Sequence, residues 1–308
     1  MTLTVDISCP VDLVEVISDR LWHLGVMAIE ELPADLDRAI LRTTLGEDRA
    51  EAERLLIQAL SEFNLDDAVS ISFHEIDDNV ANSWRAFSQP VRIGDDLVVV
   101  PSWIENPKDL DTPPTYVLFI EPGATFGLGD HPTTRASLQL LRSSITPQST
   151  VLDVGCGSGI LGIAALKFGA RQALGIDINP ASDAISQANA QANEVAEQWQ
   201  VKITELDDDV AEDLLHQFPL GFEVITANIL APVLVSLAPQ FLRLLSVQGT
   251  LIISGVLSGQ FDHVSSALAP LVMVNQYDID GWSAVALVRE PKYRSLHETE
   301  GKEPLPDE

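Results

Sequence analysis

The chain has 308 residues, enough for two domains, each with its own hydrophobic core. Its formal charge of −28 argues against nucleic acid as a direct partner, because binding phosphates requires clustered Lys and Arg side chains. The charge is compatible with a basic protein partner and equally with an acidic surface that keeps the protein soluble in a salty cytoplasm.

Two further features of the composition limit the class of protein. No apolar run reaches the ~20 residues that a membrane-spanning helix needs, and Cys9 and Cys156 are too few for a disulfide framework. The first residues carry no basic cluster of the kind found in secretory signals, and the histidines lack the spacing of metal ligands. We therefore expect a cytoplasmic protein without membrane contact or bound metal, and a monomer.

Residues 1–77 are predicted to form a small domain with the element order β-α-β-β-α-β. TLTVDIS alternates as a half-buried strand does, and VDLVEVISDRLWHLG has apolar residues at helical spacing. Two strands, the amphipathic helix DRAEAERLLIQALSEF and a last strand follow. This order is that of the ferredoxin-like, split β-α-β unit. Because the segment contains no glycine-rich loop and no catalytic cluster, we interpret it as a recognition domain, with a structural appendage as the alternative.

Residues 78–120 are predicted to be a linker that contains a hairpin around Gly94 and Asp95. In the domain assigned to residues 121–290, continuous apolar strands alternate with amphipathic helices. This alternation predicts an α/β fold with a doubly wound, mostly parallel sheet. VLVSLAPQFLRLL is predicted as one helix of this domain, and residues 291–308 as a disordered tail.

The segment VLDVGCGSGILG runs from an apolar strand directly into a helix. Glycines such as Gly155 and Gly157 let the backbone turn tightly and approach a ligand closely, while the helix directs N–H groups and its positive end towards that ligand. Asp177 ends the next strand, where a carboxylate can accept hydrogen bonds from both hydroxyls of a ribose. The sequence therefore predicts a nucleoside site.

Two ligands fit this spacing. Gly157, Gly159 and Gly162 satisfy the G-x-G-x-x-G pattern of dinucleotide sites. Asp153, however, adds negative charge where a pyrophosphate would lie, and it could instead help to bind a cationic amino-acid end. These facts favour S-adenosylmethionine, which has a ribose and a positive charge but no phosphate. LDVGCGSG and the downstream GIDINP also resemble the first two motifs of the Rossmann-like class I methyltransferases.

A polar residue follows the fourth strand of the predicted sheet, in TANILAP. Asn228 lies where the carboxyl edge of such a sheet opens, and its amide can accept a hydrogen bond from a substrate amine and donate another. The alternative is an asparagine that stabilises the turn before a helix. The three acids at 207–209 follow the third strand, where methyltransferases often hold adenine, but such a run is typical of a solvated loop, so we assign them no role.

The segment EPGATFGLGDHPTTRASL completes the pattern, since it places three glycines and two threonines just ahead of a helix. It is similar to the corresponding loop of the ribosomal protein L11 methyltransferases. PVRIGDDLVVVPSW, LDVGCGSGILGIAALKFGA and ANILAPVL are similar to other segments of that family, with matching spacings. The resemblance covers residues from about 80 to 290, with a ferredoxin-like unit in the expected place before them.

The resemblance implies an enzyme that N-methylates lysine side chains and the α-amino group of the large-subunit ribosomal protein L11, with the N-terminal domain holding this substrate. By motif position, the residues that contact S-adenosylmethionine would be Thr134, Gly155, Asp177 and Asn228, to which the glycine pattern adds Gly157. Asn228 would also orient the amine for in-line transfer. Two other readings stay open: a methyltransferase of this fold with another acceptor, and a dinucleotide-dependent oxidoreductase or silent binding module.

The chain departs from the family's usual loop at Thr125, Leu128 and Asp130. The loss of two hydroxyls changes the hydrogen bonding of the loop, and Asp130 either attracts a lysine or caps the turn. His131 is a conceivable general base, although a histidine before a proline in a tight loop is more often structural.

Overall fold

The computed structural model describes residues 2–24, 26, 29–35, 37–45, 49–60, 69–76, 89–104, 113–121, 129, 131–257, 259 and 261–290. These residues divide into two compact units, one up to position 76 and one from position 89 onward. The start of the predicted linker, the three departures at Thr125, Leu128 and Asp130, and the predicted tail lie outside the described residues.

The first unit contains the four strands and two helices that the sequence predicts, in the predicted order. They are β1 (Thr2–Pro10), α1 (Val14–His23), β2 (Ile29–Asp35), β3 (Arg38–Thr44), α2 (Arg49–Ala59) and β4 (Ser70–Ile76). The strands form an antiparallel sheet in the order β2-β3-β1-β4. This is the ferredoxin-like arrangement, in which the β2–β3 hairpin and β4 flank the first strand.

Strand β1 shows why this sheet has one apolar and one polar face. Val5 and Ile7 are fully buried in the core of the unit, whereas Asp6 between them lies on the other face. There the Asp6 carboxylate accepts two hydrogen bonds from the Arg42 guanidinium of β3, at 2.7 and 2.8 Å. The Arg42 hydrogen bonds hold the pKa of Asp6 below its ordinary value.

The second unit begins with a small sheet in the order β5-β6-β7. Its strands are β5 (Val91–Ile93), β6 (Leu97–Pro101) and β7 (Tyr116–Ile120). β5 and β6 pair antiparallel across a turn at Gly94, whose positive φ of 58° suits glycine, so the predicted hairpin is confirmed. β7 pairs with β6 in parallel and forms the outer edge of this sheet.

A seven-stranded sheet forms the body of the second unit. Its elements are α3 (Pro132–Ser144), β8 (Thr150–Val154), α4 (Ile160–Lys167), β9 (Gln172–Asp177), α5 (Ala181–Ala192), β10 (Trp199–Ile203), α6 (Asp208–Gln217), β11 (Phe222–Asn228), α7 (Ala231–Ser236), α8 (Ala238–Leu244), β12 (Leu245–Leu257), α9 (Phe261–Ala267), β13 (Leu271–Ile279) and β14 (Trp282–Arg289). The order is β10-β9-β8-β11-β12-β14-β13. The first five strands run parallel, and β14 is antiparallel to both of its neighbours.

Two apolar clusters cover the two faces of this sheet. Successive residues of β8 contribute to different clusters, Val151 to one and Leu152 to the other, because strand side chains alternate between faces. Every residue of β8 is buried, as expected for a central strand with helices on both sides. The doubly wound, mostly parallel sheet predicted from the sequence is therefore confirmed.

Two sequence predictions within this unit were wrong. The segment predicted as one helix forms α7 and α8, which are separated at Leu237 because Pro239 lacks the N–H that would continue the hydrogen-bond pattern of α7. The acids at 207–209 are the start of α6, a helix that the sequence analysis did not predict. Asp207 caps this helix by accepting a hydrogen bond from the backbone N–H of Val210 at 2.8 Å.

Candidate functional site

The candidate site lies at the carboxyl edge of the seven-stranded sheet, where β8 lies between β9 and β11. The chain leaves β8 towards β9 on one side, and β11 continues the sheet on the other, so this is the topological switch point of the sheet. The parallel register brings the ends of these three strands together. Gly155, Asp177 and Asn228, all predicted from the sequence, therefore lie at one edge.

The glycine loop after β8 is held in shape by hydrogen bonds within the protein. Gly155, Gly157 and Gly159 have φ values of 71°, 51° and 78°, which other residues rarely adopt. The N–H groups of Gly155 and Cys156 donate to the Ile176 carbonyl at 2.8 and 3.2 Å, and that of Gly159 donates to the Cys156 carbonyl at 2.7 Å. The loop thus depends on glycine for its backbone conformation.

Asp177 connects the glycine loop to the end of β9. Its Oδ2 accepts a hydrogen bond from the Gly157 N–H at 2.7 Å, and its Oδ1 accepts one from the Asn179 N–H at 2.8 Å. The side chain is half-buried, and each carboxylate oxygen can accept a second hydrogen bond. Asp177 is therefore fixed in orientation and able to accept two ribose hydroxyls.

Asp153 lies beneath the loop, 1% exposed, so it is not a residue of the open edge. Its Oδ2 accepts a hydrogen bond from the Gly162 N–H at 2.9 Å and thereby connects β8 to the first turn of α4. Burial raises the pKa of Asp153 to about 7; the Gly162 hydrogen bond opposes this rise, and the nearby Asp177 charge adds to it. Burial likewise raises the pKa of the Cys156 thiol, which does not suit a nucleophile.

On the other side of β8, Asn228 is connected to α3. Its Nδ2 donates to the Thr134 hydroxyl at 3.4 Å, which leaves the amide oxygen Oδ1 as the group that can accept from an amine. Ser254, next to Asn228 on β12, contacts the Thr133 carbonyl at 3.3 Å, so the first turn of α3 is fixed to the sheet. The structure therefore brings the predicted residues Thr134 and Asn228 together.

The residue after Asn228 shapes the same edge. A Cβ atom at Gly155 would lie 2.4 Å from Cγ2 of Ile229, so only glycine fits where the two loops meet. Gly255 meets the backbone of Ile229 in the same way, at 2.4 Å from its carbonyl oxygen. The loops after β8 and β11 and the Gly255 position of β12 are therefore packed with no space for a side chain at either glycine.

The arrangement of donors distinguishes between the two ligands that the sequence allows. The N–H groups of Gly155, Cys156, Gly157 and Gly159 all donate within the protein. A diphosphate site relies on such groups to bind the phosphate oxygens, and here they are already engaged. A ligand with ribose hydroxyls and no phosphate fits the acceptor Asp177 at this edge, as S-adenosylmethionine does.

Three further observations concern chemistry outside this edge. Among the described residues, no group of three His, Cys, Asp or Glu side chains is placed to hold a metal ion. None of the helices in the described part of the chain is both long and apolar enough to span a membrane. His131 caps α3, with its Nδ1 2.7 Å from the Thr133 hydroxyl and 3.3 Å from the Thr133 N–H, and this geometry is that of the structural histidine considered above.

A family model described as "Ribosomal protein L11 methyltransferase (PrmA)" matches residues 4–290. The chain belongs to this family. Curated relatives named ribosomal protein L11 methyltransferase include that of Cupriavidus necator, which is 31% identical over 95% of this chain and 96% of the relative. That of Actinobacillus pleuropneumoniae serotype 7 is 36% identical over 83% of this chain and 88% of the relative.

Among solved structures, the chain is similar to a crystal structure described as ribosomal protein L11 methylase from Lactobacillus delbrueckii subsp. bulgaricus. The match has a TM-score of 0.57 and 29% identity, and it covers 66% of this chain and 99% of that chain. Together with the family model, it confirms the predicted family, the class I methyltransferase fold and the methyltransferase activity.

The sequence analysis missed two features of this edge. Ile178 directly follows Asp177 and is 75% exposed, so its side chain offers an apolar surface that suits contact with a flat base. Its signal was present in GIDI, where an apolar residue follows the acid after the strand has ended. Ser254 gave no sequence signal, because its contacts with Thr133 and with the Ser283 carbonyl at 3.2 Å join distant parts of the chain.

Proposed function

We propose that this chain transfers methyl groups from S-adenosylmethionine to lysine side chains and to the α-amino group of ribosomal protein L11. The observation that carries the proposal is the pairing of two groups at one sheet edge: a fixed carboxylate, Asp177, and a fixed amide, Asn228. The carboxylate suits the ribose hydroxyls of the nucleoside, and the amide suits an acceptor amine. The names of the relatives supply the acceptor.

The cofactor half of the site consists of Thr134, Gly155, Gly157, Asp177 and Asn228. Asp177 accepts the ribose hydroxyls, and the glycines at 155 and 157 allow the ligand to lie close to the backbone. The exposed side chain of Ile178 provides an apolar surface for the adenine. S-adenosylmethionine supplies an activated methyl group when bound, so the protein's main task is to position the acceptor.

The acceptor half of the site must favour a neutral amine. Lysine has an unperturbed pKa of ~10.4, so its uncharged form is scarce at neutral pH and becomes more abundant on an apolar surface. Leu230 and Val233, which follow Asn228 closely, are each 42% exposed and provide such a surface. The Oδ1 atom of Asn228 accepts one amine N–H and thereby directs the nitrogen lone pair in line with the methyl group.

We assign recognition of the protein substrate to the N-terminal unit, which lacks catalytic groups among its described residues and has a ferredoxin-like sheet. The charge of −28 favours association with a substrate that presents lysines. The KM for L11 should therefore rise with salt, whereas the Kd for the cofactor should change little. Because the acceptor is a ribosomal protein, we further infer a cytoplasmic location. The charge of −28 argues against direct binding of nucleic acid. We also infer a monomer, and sedimentation of the pure chain checks this state.

The direct test is transfer of a labelled methyl group from S-adenosylmethionine to purified L11. The matched control is L11 whose lysines and α-amine have been acetylated beforehand. We expect label on the free protein and none on the blocked one. If the chain binds S-adenosylmethionine but leaves free L11 unlabelled, the acceptor is a different molecule. If it binds reduced nicotinamide cofactor and not S-adenosylmethionine, the methyltransferase proposal is wrong.

A further inference from the structure

Two buried asparagines, one in the last turn of α5 and one that caps its C-terminus, pair with the outer edge of β7. Asn189 and Asn193 are 1% and 2% exposed, and they lie one helical turn apart. Burial of an amide is costly unless its hydrogen bonds are made. Both side chains make several hydrogen bonds. Those with the β7 segment and with the glycine loop join residues of the second unit.

Each asparagine binds one residue of the β7 segment through both its backbone groups. Asn193 accepts from the Phe119 N–H at 2.9 Å and donates to the Phe119 carbonyl at 2.7 Å. Asn189 does the same with Glu121, at 2.8 Å for both bonds. The amide side chain thus pairs with the backbone as a neighbouring strand would.

The spacing of residues along the strand and the helix explains how two asparagines can pair with this edge. β7 uses its even-numbered residues to bond β6: the Tyr116 N–H donates to Asp96, and the Ile120 carbonyl accepts from Ser102. The odd-numbered residues therefore turn their N–H and carbonyl groups to the outer edge. Alternate strand residues are ~6.6 Å apart and helix residues four apart are ~6 Å, so Asn189 and Asn193 match Phe119 and Glu121.

Asn189 makes one bond that Asn193 does not. Its second Nδ2 hydrogen donates to the Ser158 carbonyl at 2.9 Å, so Asn189 connects the glycine loop to Glu121. Ser158 lies between Gly157, whose N–H donates to Asp177, and Gly159. A Cβ atom at Gly159 would lie 2.9 Å from Cβ of Ser186, so α5 is packed directly against this loop.

We propose that Asn189 is a positioning residue for the cofactor site. By holding the Ser158 carbonyl, it fixes the Ser158–Gly159 peptide, whose N–H donates to the Cys156 carbonyl, and this carbonyl belongs to the peptide that presents the Gly157 N–H to Asp177. It does not touch the cofactor itself. The inference rests on the proposed function, because it assigns a role within the same site. Asn193, on the same helix with the same pairing to β7, is the structural counterpart without contact to the loop.

The experiment compares Asn189→Asp with Asn193→Asp in the full-length chain. Each change keeps the side-chain shape but places a carboxylate against two carbonyl oxygens. These are the carbonyls of Glu121 and Ser158 for Asn189, and those of Phe119 and Asn189 for Asn193. We expect both variants to have a lower Tm. The Kd for S-adenosylmethionine, measured by calorimetry, should rise about tenfold or more for Asn189→Asp and less than about twofold for Asn193→Asp. Asn189→Ala, which adds no charge, should shift the Kd in the same direction if the aspartate variant fails to fold.

A second readout separates positioning from loss of stability. Hydrogen exchange of the Gly157 amide should become faster in the Asn189 variants and stay unchanged in Asn193→Asp. Equal weakening of cofactor binding by both aspartate variants, or an unchanged Kd in the Asn189 variants, would overturn the inference. If the unsubstituted chain does not bind S-adenosylmethionine, the proposed function fails first and the inference fails with it.

Discussion

The four-stranded and the seven-stranded sheet each contain an aspartate, and the two aspartates lie in opposite environments. In the N-terminal sheet, Asp6 lies on the polar face and is paired with Arg42, which lowers its pKa. In the C-terminal sheet, Asp153 is buried within a central strand, and burial raises its pKa to about 7. One acid stabilises its sheet when it is charged, and the other destabilises its sheet when it is charged. Buried polar groups that lower the stability of the fold indicate where function requires them.

The same contrast holds for other polar side chains among the described residues. Among the residues of the first unit whose burial the structure describes, the buried polar side chains are two threonines, Thr4 and Thr43. The described part of the second unit buries an acid and two amides, Asp153, Asn189 and Asn193; of these, Asp153 directly precedes the glycine loop on β8, and Asn189 bonds to Ser158 within it. Substitution of Asp153 or Asn189 should therefore affect the cofactor site, whereas substitution of Asp6 should change stability and leave cofactor binding unchanged.

The largest expected effect comes from Asp177→Ala. The change removes the acceptor for the ribose hydroxyls and for the Gly157 N–H, so binding of S-adenosylmethionine should weaken by about 1–3 kcal/mol. Calorimetry measures this directly. Asp183→Ala, which removes an exposed acid from the first turn of α5, is the matched control and should leave the Kd unchanged. Equal affinity in Asp177→Ala and the unsubstituted chain would exclude Asp177 from the site.

Asn228→Ala should act on the rate more than on binding. Without the amide the amine is not directed in line, and kcat should fall about thirtyfold, or ~2 kcal/mol, with a smaller change in the cofactor Kd. Thr134→Val, which removes the hydroxyl that Asn228 contacts, should reduce kcat by less. Steady-state kinetics at saturating cofactor give these values. Asn275→Ala, at an exposed position of β13, serves as the control, and a kcat as high as that of the control would refute the role of Asn228.

Asp153→Asn tests the cost of the buried acid. The pKa of Asp153 is raised from 3.8 to about 7 in the folded chain, so between these pH values the folded state holds a proton that the unfolded state has released. Stability contributed by this group is present below pH 3.8 and is lost as the pH rises to 7. The free energy of unfolding of the variant, relative to the unsubstituted chain, should increase by more than about 1 kcal/mol from pH 4 to pH 7. Denaturant unfolding at both pH values measures it, and a constant difference contradicts the assignment.

The smallest effect is expected for Asp6→Asn. The lowered pKa means that the pair with Arg42 stabilises the fold above the unfolded pKa and is lost as the pH falls through the folded value. At pH 7 the variant should lose no more than about 1 kcal/mol, because Arg42 is partly exposed to solvent. Its Kd for S-adenosylmethionine should not change. A change in that Kd would break the contrast between the two units.

Much of this structure could be predicted because its signals are local. The alternation in TLTVDIS, the glycines of VLDVGCGSGILG and the acid within GIDI can each be recognised from neighbouring residues alone. Strand order then places Gly155, Asp177 and Asn228 at one edge, because parallel strands share the direction of their carboxyl ends.

The parts that could not be predicted depend on distant residues or on competing local effects. Asn189 contacts Glu121, 68 residues away, and no pattern in ASDAISQANAQAN shows that contact. The break at Leu237 was visible as a proline, but the apolar periodicity of VLVSLAPQFLRLL concealed it. The acids at 207–209 were interpreted by charge alone, although aspartate is also a preferred helix cap.

The inward donation of the glycine-loop amides has a consequence for the kinetics of ligand entry. The backbone N–H groups of the loop already donate to Ile176, Cys156 and Asp177. The glycine loop therefore has its conformation before a ligand binds. Little conformational entropy then remains to be lost at this wall when a nucleoside docks. Binding should therefore occur in one step, so that the observed rate constant of binding rises linearly with ligand concentration and does not saturate.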